Sequence, residues 1–347
     1  KDTMSIRAGR KYLTFSISGA ALAFIALVFI IYYGTTTDFV LGGVLDAEKI
    51  SGMEELLKFV FLLAFVGFGT KAAVFPMYAW LPAASVAPTP VTALLHAVAV
   101  VNAGAYAVLR VIYYSFGASF LYGTWAQTVA LLLSCFTILF GSTMAVREQH
   151  FKRRLAYSTI SNLSYMLMGA ALMTPDGMTG SLSHLVIHGV IKITLFYCAG
   201  AILIKTGKEY VQDLRGYSRI MPATCGIFLL GSIALVGTPP LAGFVSKWNL
   251  LTAASATGLP MGTVAIVCLI ISAILTAIYL FTAALPMYFR PLNADQAQLA
   301  GQKLDPSWMM LVPMGILCAL MIGLGLWSQP LVTFLRNISA GVIFLLY

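Results

Sequence analysis

The sequence predicts an all-α polytopic membrane protein of about nine or ten transmembrane helices, two of them discontinuous, and three observations carry that reading. Sixty per cent of the 347 residues are hydrophobic and only 10% are charged, too few polar groups to cover a globular surface. Apolar runs of about 18 residues or more, enough to cross roughly 30 Å of hydrocarbon as helix, recur along the whole length. Two of the runs lead into proline-containing polar breaks, and each is read as one interrupted crossing.

Taken in order, the spans are expected at 12–33, 56–75, 91–114, 125–146, 155–173, 182–204, 221–249, 261–289 and 308–327. A tenth, at 331–346, is interrupted by Arg336 and Asn337. The first run has no small-residue cleavage site after it and reads as a span, not a signal peptide. The chain opens at Lys1 on a basic segment that looks like an internal loop, and further helices are expected upstream.

The net charge of +9 would suggest a nucleic-acid partner in a water-soluble protein. Here the basic residues cluster between spans instead. Lys1, Arg7, Arg10 and Lys11 precede the first; Arg147, Lys152, Arg153 and Arg154 join the fourth to the fifth; Lys205, Lys208, Arg215 and Arg219 join the sixth to the seventh; Arg290 and Lys303 follow the eighth. Strict alternation places all four groups on one side, which the positive-inside rule makes cytoplasmic. The opposite loops carry Asp38, Asp46, Glu48 and Asp176. The excess charge therefore reports topology, the surrounding partner is lipid, and no nucleic acid is expected. Cys135, Cys198, Cys225, Cys268 and Cys318 lie within spans without a CxxC or Cys/His ligand spacing, which argues against iron–sulfur and structural zinc sites.

Inside these spans sit cations that lipid does not tolerate, and such residues point to ion or proton movement. His184, His188 and Lys192, in "HLVIHGVIKITLF", are spaced i, i+4, i+8, which keeps them within some 80° of one helix face over about 12 Å. Lys192 lies roughly 15 Å from either end of its span at 1.5 Å per residue, beyond the reach of a snorkelling side chain. An imidazole accepts a proton on one nitrogen and donates from the other, so such a stripe suits a proton relay, with water bridging groups about 6 Å apart. Hydrogen bonding to neighbouring helices is the structural alternative. Two histidines four apart, with no carboxylate as third ligand, do not make a metal site.

"LVGTPPLAGFVSK" contains Gly237, Pro239, Pro240 and Gly243, so the seventh span must break, with Lys247 just beyond. The second span repeats the theme, with Lys71 before Pro76 and with Pro88 and Pro90 behind it. Two lysines beside two breaks, in spans of opposite direction, suggest an inverted repeat. For Lys71 alone snorkelling remains open, and for His96 so does an ordinary core role. Arg110 and Lys58 read as interfacial anchors, and no acidic residue lies well inside a span.

Together, "GTKAAVFPMYAWLPAASVAPTPVTALLHA", "KRRLAYSTISNLSYM", "HLVIHGVIKITLFYCAG" and "GTPPLAGFVSK" resemble the proton-conducting, antiporter-like membrane subunits shared by respiratory complex I, Mrp-type sodium/proton antiporters and membrane-bound hydrogenases. The resemblance implies an inverted-repeat, antiporter-like fold in which Lys71 and Lys247 are the lysines of the two discontinuous helices. It makes His184, His188 and Lys192 the central relay, His96 the connecting histidine and Lys152 a lysine near the cytoplasmic side. On this basis 1–115 is the remainder of a first repeat, 116–290 a second, and 291–347 C-terminal helices. Asn102 stands where many members have lysine, and the glutamate that partners the first lysine would lie on a helix preceding "SIRAGRKYL".

The function implied is proton translocation as one subunit of a multisubunit, redox-driven complex, with H+ as the transported ion and no cofactor bound by this chain. At an effective dielectric near 20, moving a unit charge from about 4 Å to about 8 Å changes its interaction by roughly 2 kcal/mol, enough to switch a protonation state. The alternatives are a sodium/proton antiporter or bicarbonate-uptake module without redox chemistry, or a scaffold that no longer transports. Sodium would need oxygen ligands that the spans offer only as hydroxyls and carbonyls.

Overall fold

A computed structural model describes residues 3–258, 260–293 and 301–341, and among these the chain is helical throughout, with no β-strand. Helix α1 (Thr3–Tyr33) starts ahead of the expected span because Arg7, Arg10 and Lys11 continue it outward as good helix formers. α2 (Glu54–Gly69) opens on Glu54 and Glu55, acids at the positive end of the helix dipole. It ends at Gly69, short of the expected 75, and the chain turns through Ala73, whose φ of 57° is left-handed, past Pro76 to a short α3 (Trp80–Ala83).

Pro88 and Pro90, expected to prolong that break, instead start the next helix. Pro88 is the N-cap residue of α4 (Thr89–Ala97) and Pro90 lies in its first turn, where a missing N–H is harmless. The third span, expected to be continuous, is itself interrupted. α4 ends at Val98, and α5 (Val100–Arg110) continues from Ala99 into a π-helical stretch, Val111–Phe116. No proline or glycine marks that break; the Asn102 amide donates to the Ala97 carbonyl across it at 2.9 Å.

After a single turn, α6 (Ala118–Leu121), come α7 (Trp125–Arg147), α8 (Phe151–Ala171) and α9 (Pro175–Thr206). The Thr124 and Thr174 side chains cap α7 and α9 by accepting from Gln127 N and Gly177 N. The seventh span divides into α10 (Pro222–Val236) and α11 (Ala242–Ala256). α12 (Pro260–Phe289), α13 (Trp308–Leu326) and α14 (Gln329–Ala340) follow. The end of the tenth expected span, beyond residue 341, lies outside the described residues.

Among the described residues six segments are long and apolar enough to cross a membrane: α1, the Thr89–Phe116 run, α7, α9, α12 and α13. α8 is long but rich in serine and asparagine, and the structure gives the reason. Every α8 residue except Arg153 and Tyr157 is buried, so it is enclosed by protein and needs no lipid-facing side. The four basic segments meet at one end of the bundle. His150 and Tyr210 form an antiparallel bridge, Gly216 N donates to Pro286 O at 3.0 Å, and Arg7 and Lys11 line an open cleft of about 800 Å³ with Lys152 and Arg153.

Candidate functional site

The site is best built from the broken helix. Pro239 and Pro240 have no N–H, so the carbonyls four residues back, Leu235 and Val236, lose their helical donors. Lys247 replaces them: its Nζ donates to Leu235 O at 2.8 Å and Val236 O at 3.0 Å. The ammonium thus sits at the negative end of the α10 dipole, only 8% exposed, with the Tyr165 ring centroid 5.3 Å away. Gly237 turns the chain at φ 93°, and a Cβ there would lie 2.9 Å from Lys247 Cδ. Glycine supplies both the turn and the space for the lysine stem.

The neighbouring turn of α11 places Ser246 Oγ 3.0 Å from His184 Nδ1. From there the α9 stripe runs as expected: the His184 and His188 rings lie 5.8 Å apart, inclined by 23°, and both residues are buried. His184 Nε2 and both His188 nitrogens have no hydrogen-bond partner among the described residues. Lys192 does not continue the row toward His188. Its Nζ turns to α8 and donates to Leu155 O at 2.9 Å and to Ser158 Oγ.

His96, in the last turn of α4, stacks on Phe196 at 5.0 Å and has both ring nitrogens unpartnered among the described residues. It lies within electrostatic range of both Lys192 and Lys152. Lys152, buried in the first turn of α8, donates to Ala87 O at 3.3 Å on the wall of the basic-end cleft. Lys71 stands apart from the α9 row. Its ammonium donates to Ser16 Oγ at 2.9 Å and Tyr12 Oη at 3.3 Å, both on α1, while Trp80 Nε1 donates to Thr70 O at 2.8 Å. The two breaks therefore differ: at one the lysine takes the freed carbonyls, at the other a tryptophan takes a carbonyl and leaves the lysine to hydroxyls.

Among the described residues no carboxylate pairs with Lys71, Lys192 or Lys247; the ion pairs are Lys49–Asp46, Lys58–Glu55 and Arg153–Glu148, with His150–Glu209 a fourth when the imidazole is protonated. Lys58 pairs with Glu55, and the Arg110 guanidinium lies over the Phe39 ring at 4.3 Å. What the sequence reading missed is a facing pair of hydroxyl stripes. α8 presents Ser158, Ser161 and Tyr165, and α12 presents Ser272, Thr276 and Tyr279. Tyr279 Oη donates to Ser158 Oγ at 2.8 Å, Tyr165 Oη to Ser272 Oγ at 2.8 Å, and Ser142, Ser161 and Ser272 share hydroxyl contacts of 2.6–3.1 Å. Their i, i+4, i+7 spacing within the otherwise apolar α12 was the available signal.

Interrupted helices around lysines that pair with no carboxylate among the described residues define a multi-pass integral membrane protein with a polar interior built into its core. The sequence profile of the NADH:quinone oxidoreductase/Mrp antiporter transmembrane family matches residues 1–276, and the chain belongs to that family. It is 33% identical over 289 residues to NADH-quinone oxidoreductase subunit N of Desulforudis audaxviator, an alignment covering 80% of this chain and 56% of that protein. The chain thus spans about half the length of that relative. Its fold is similar to that of a chain in the Mrp complex from Dietzia sp. DQ12-45-1b, with a TM-score of 0.84 at 22% identity over 98% of this chain and 68% of that one. A chain of respiratory complex I from Thermus thermophilus with bound NADH gives a TM-score of 0.80 at 24% identity, covering 99% and 70% respectively.

Proposed function

We propose that this chain moves protons across a membrane through its buried lysines and histidines, as an antiporter-like subunit of a multisubunit redox-driven complex of the complex I or membrane-bound hydrogenase type. The observation that carries the reading is the approach of Lys247 to the α9 row. A cation held only by main-chain carbonyls lies beside Ser246, which contacts His184, and the imidazole nitrogens beyond it are unpartnered among the described residues. Water between those nitrogens would complete a relay with Lys192, His96 and Lys71. Lys152, on the wall of the basic-end cleft, would be the point of entry.

In this reading 1–115 and 116–290 are the two repeats and 291–347 the C-terminal helices. The membrane is a prokaryotic inner membrane, the basic end faces the cytoplasm, and any redox cofactor belongs to partner subunits. Proteoliposomes reporting internal pH test it. Wild type conducts protons under an imposed potential, whereas Lys247→Met and Lys192→Met conduct about as little as empty vesicles; wild-type flux in both variants refutes the relay. A second reading, a subunit of an Mrp-type Na+/H+ antiporter, is favoured by the fold likeness to the Mrp chain. It requires flux that depends on sodium in the same vesicles.

A further inference from the structure

A second cleft opens at the basic end, away from the Lys152 cleft, with a volume of about 280 Å³. Its polar lining is Arg154, Arg215, Arg290, Gln149, Gln212 and Thr282, with no aspartate or glutamate among the described residues that line it. Three guanidiniums around one space repel one another, Glu148 offsets this in part at Arg154, and an entering anion would relieve the rest.

Arg154 makes the cleft a built site. It is 3% exposed, and three bonds fix its guanidinium: Nε to Glu148 O at 2.8 Å, and Nη1 to Tyr279 O at 3.0 Å and to Thr282 Oγ1 at 2.9 Å. No hydrogen bond from its Nη2 to a described residue accompanies these three, so an oriented guanidinium edge is left for whatever enters. Arg215 and Arg290 are exposed and add mobile charge at the rim.

The surroundings select the kind of anion. Thr282, Pro286 and Arg290, four residues apart, line the cleft, while Leu285 and Phe289 on the adjoining stripe of α12 are exposed by 45% and 81%. Below them Ile278, Ile274 and Ile270 continue the outward apolar lane along the helix. A negative headgroup with acyl chains matches a charged cleft above such a lane, whereas free phosphate leaves the lane unused. A choline headgroup finds no carboxylate for its cation among the described residues that line the cleft.

We propose that this cleft binds the headgroup of an anionic phospholipid, its phosphate against Arg154, Arg215 and Arg290 and its acyl chains along the exposed face of α12. The site is separate from the lysine and histidine row and does not depend on proton transport. Native mass spectrometry of the protein released from nanodiscs of mixed phosphatidylglycerol and phosphatidylcholine tests it. Wild type retains phosphatidylglycerol preferentially. Arg215→Gln with Arg290→Gln lowers that retention about tenfold or more, while Arg7→Gln with Arg10→Gln, the same charge change at exposed positions of the same end, leaves it unchanged. No preference in wild type, or equal loss in both double variants, overturns the proposal. So does displacement of the lipid by inorganic phosphate alone, which would make the site one for a soluble anion.

Discussion

The Lys247 ammonium lies 2.8 Å from the carbonyl oxygen of Leu235, so a side chain of α11 completes the last turn of α10. Pro239 and Pro240 create the vacancy and the lysine fills it. Structure and proposed transport thus depend on one group, which has to be released from two carbonyls before it can exchange its proton elsewhere.

Lys247→Met is therefore expected to do two separate things. It leaves buried carbonyls without a donor, a loss of about 1–3 kcal/mol, and it removes proton flux. Lys247→Arg restores most of the stability because guanidinium can donate to both oxygens. Thermal unfolding in detergent measures the first effect, and a Met variant as stable as wild type would show that the contact contributes nothing.

Gly237→Ala tests the same turn from the other side. With φ at 93° and Lys247 Cδ 2.9 Å from where a Cβ would stand, alanine meets about 1–2 kcal/mol of backbone strain and displaces the lysine stem. The expected result is a lower unfolding temperature together with reduced flux, read on the same preparation.

Asn102 holds the unmarked break beside His96 through its amide N–H to Ala97 O. Asn102→Asp keeps the shape but has no donor, and should lower stability by about 1–3 kcal/mol. Hydrogen exchange around residues 97–103 should rise in that variant; unchanged protection would mean the break is held by packing alone.

Tyr279 reaches Lys192 only through Ser158. Tyr279→Phe and Ser158→Ala should each reduce flux in part, whereas Tyr279→Phe should reduce it no further in a Ser158→Ala background, and Ser158→Thr in place of Ser158→Ala should preserve it. A double-mutant cycle on initial rates measures this, and additive losses would place the tyrosine on a different route.

His150 at the basic end provides a pH dependence outside the membrane. Burial, with the nearby Arg153 and Lys152, holds its imidazole below the ordinary 6.5, against the opposing pull of Glu209 and Glu148. A base depressed in the folded state favours folding above pH 6.5 and loses that contribution as pH falls below it. The amides of Phe151 and Val211, which donate to Glu209 O and Gln149 O, should thus lose protection below pH 6.5, and His150→Asn should abolish the change. Protection factors rising on acidification would reverse the sign.

Much of this was legible because lipid is a strict solvent. The placement of Arg7, Lys152, Arg215 and Arg290 at one end followed from charge alone, and the break before Lys247 from prolines that cannot donate. The direction of Lys192 was not legible, since it depends on Ser158, a residue 34 positions away on another helix. The break at Val98 escaped for a similar reason: "LLHAVAVVNAGAY" has no breaker there, and the interruption is bridged by the Asn102 amide on Ala97 O and by Ala99 N on Leu94 O. Pro88 and Pro90 were misplaced because proline opens helices as readily as it ends them.

The near-complete enclosure of α8 bears on how the chain is made. With Lys152, Arg153 and Arg154 at one end and serines and an asparagine along its length, α8 gains little from hydrocarbon alone, so the insertion machinery must retain it until α7 and α9 flank it. Nascent chains truncated after residue 173 should remain crosslinked to the translocon, and those extended beyond residue 206 should be released into the bilayer.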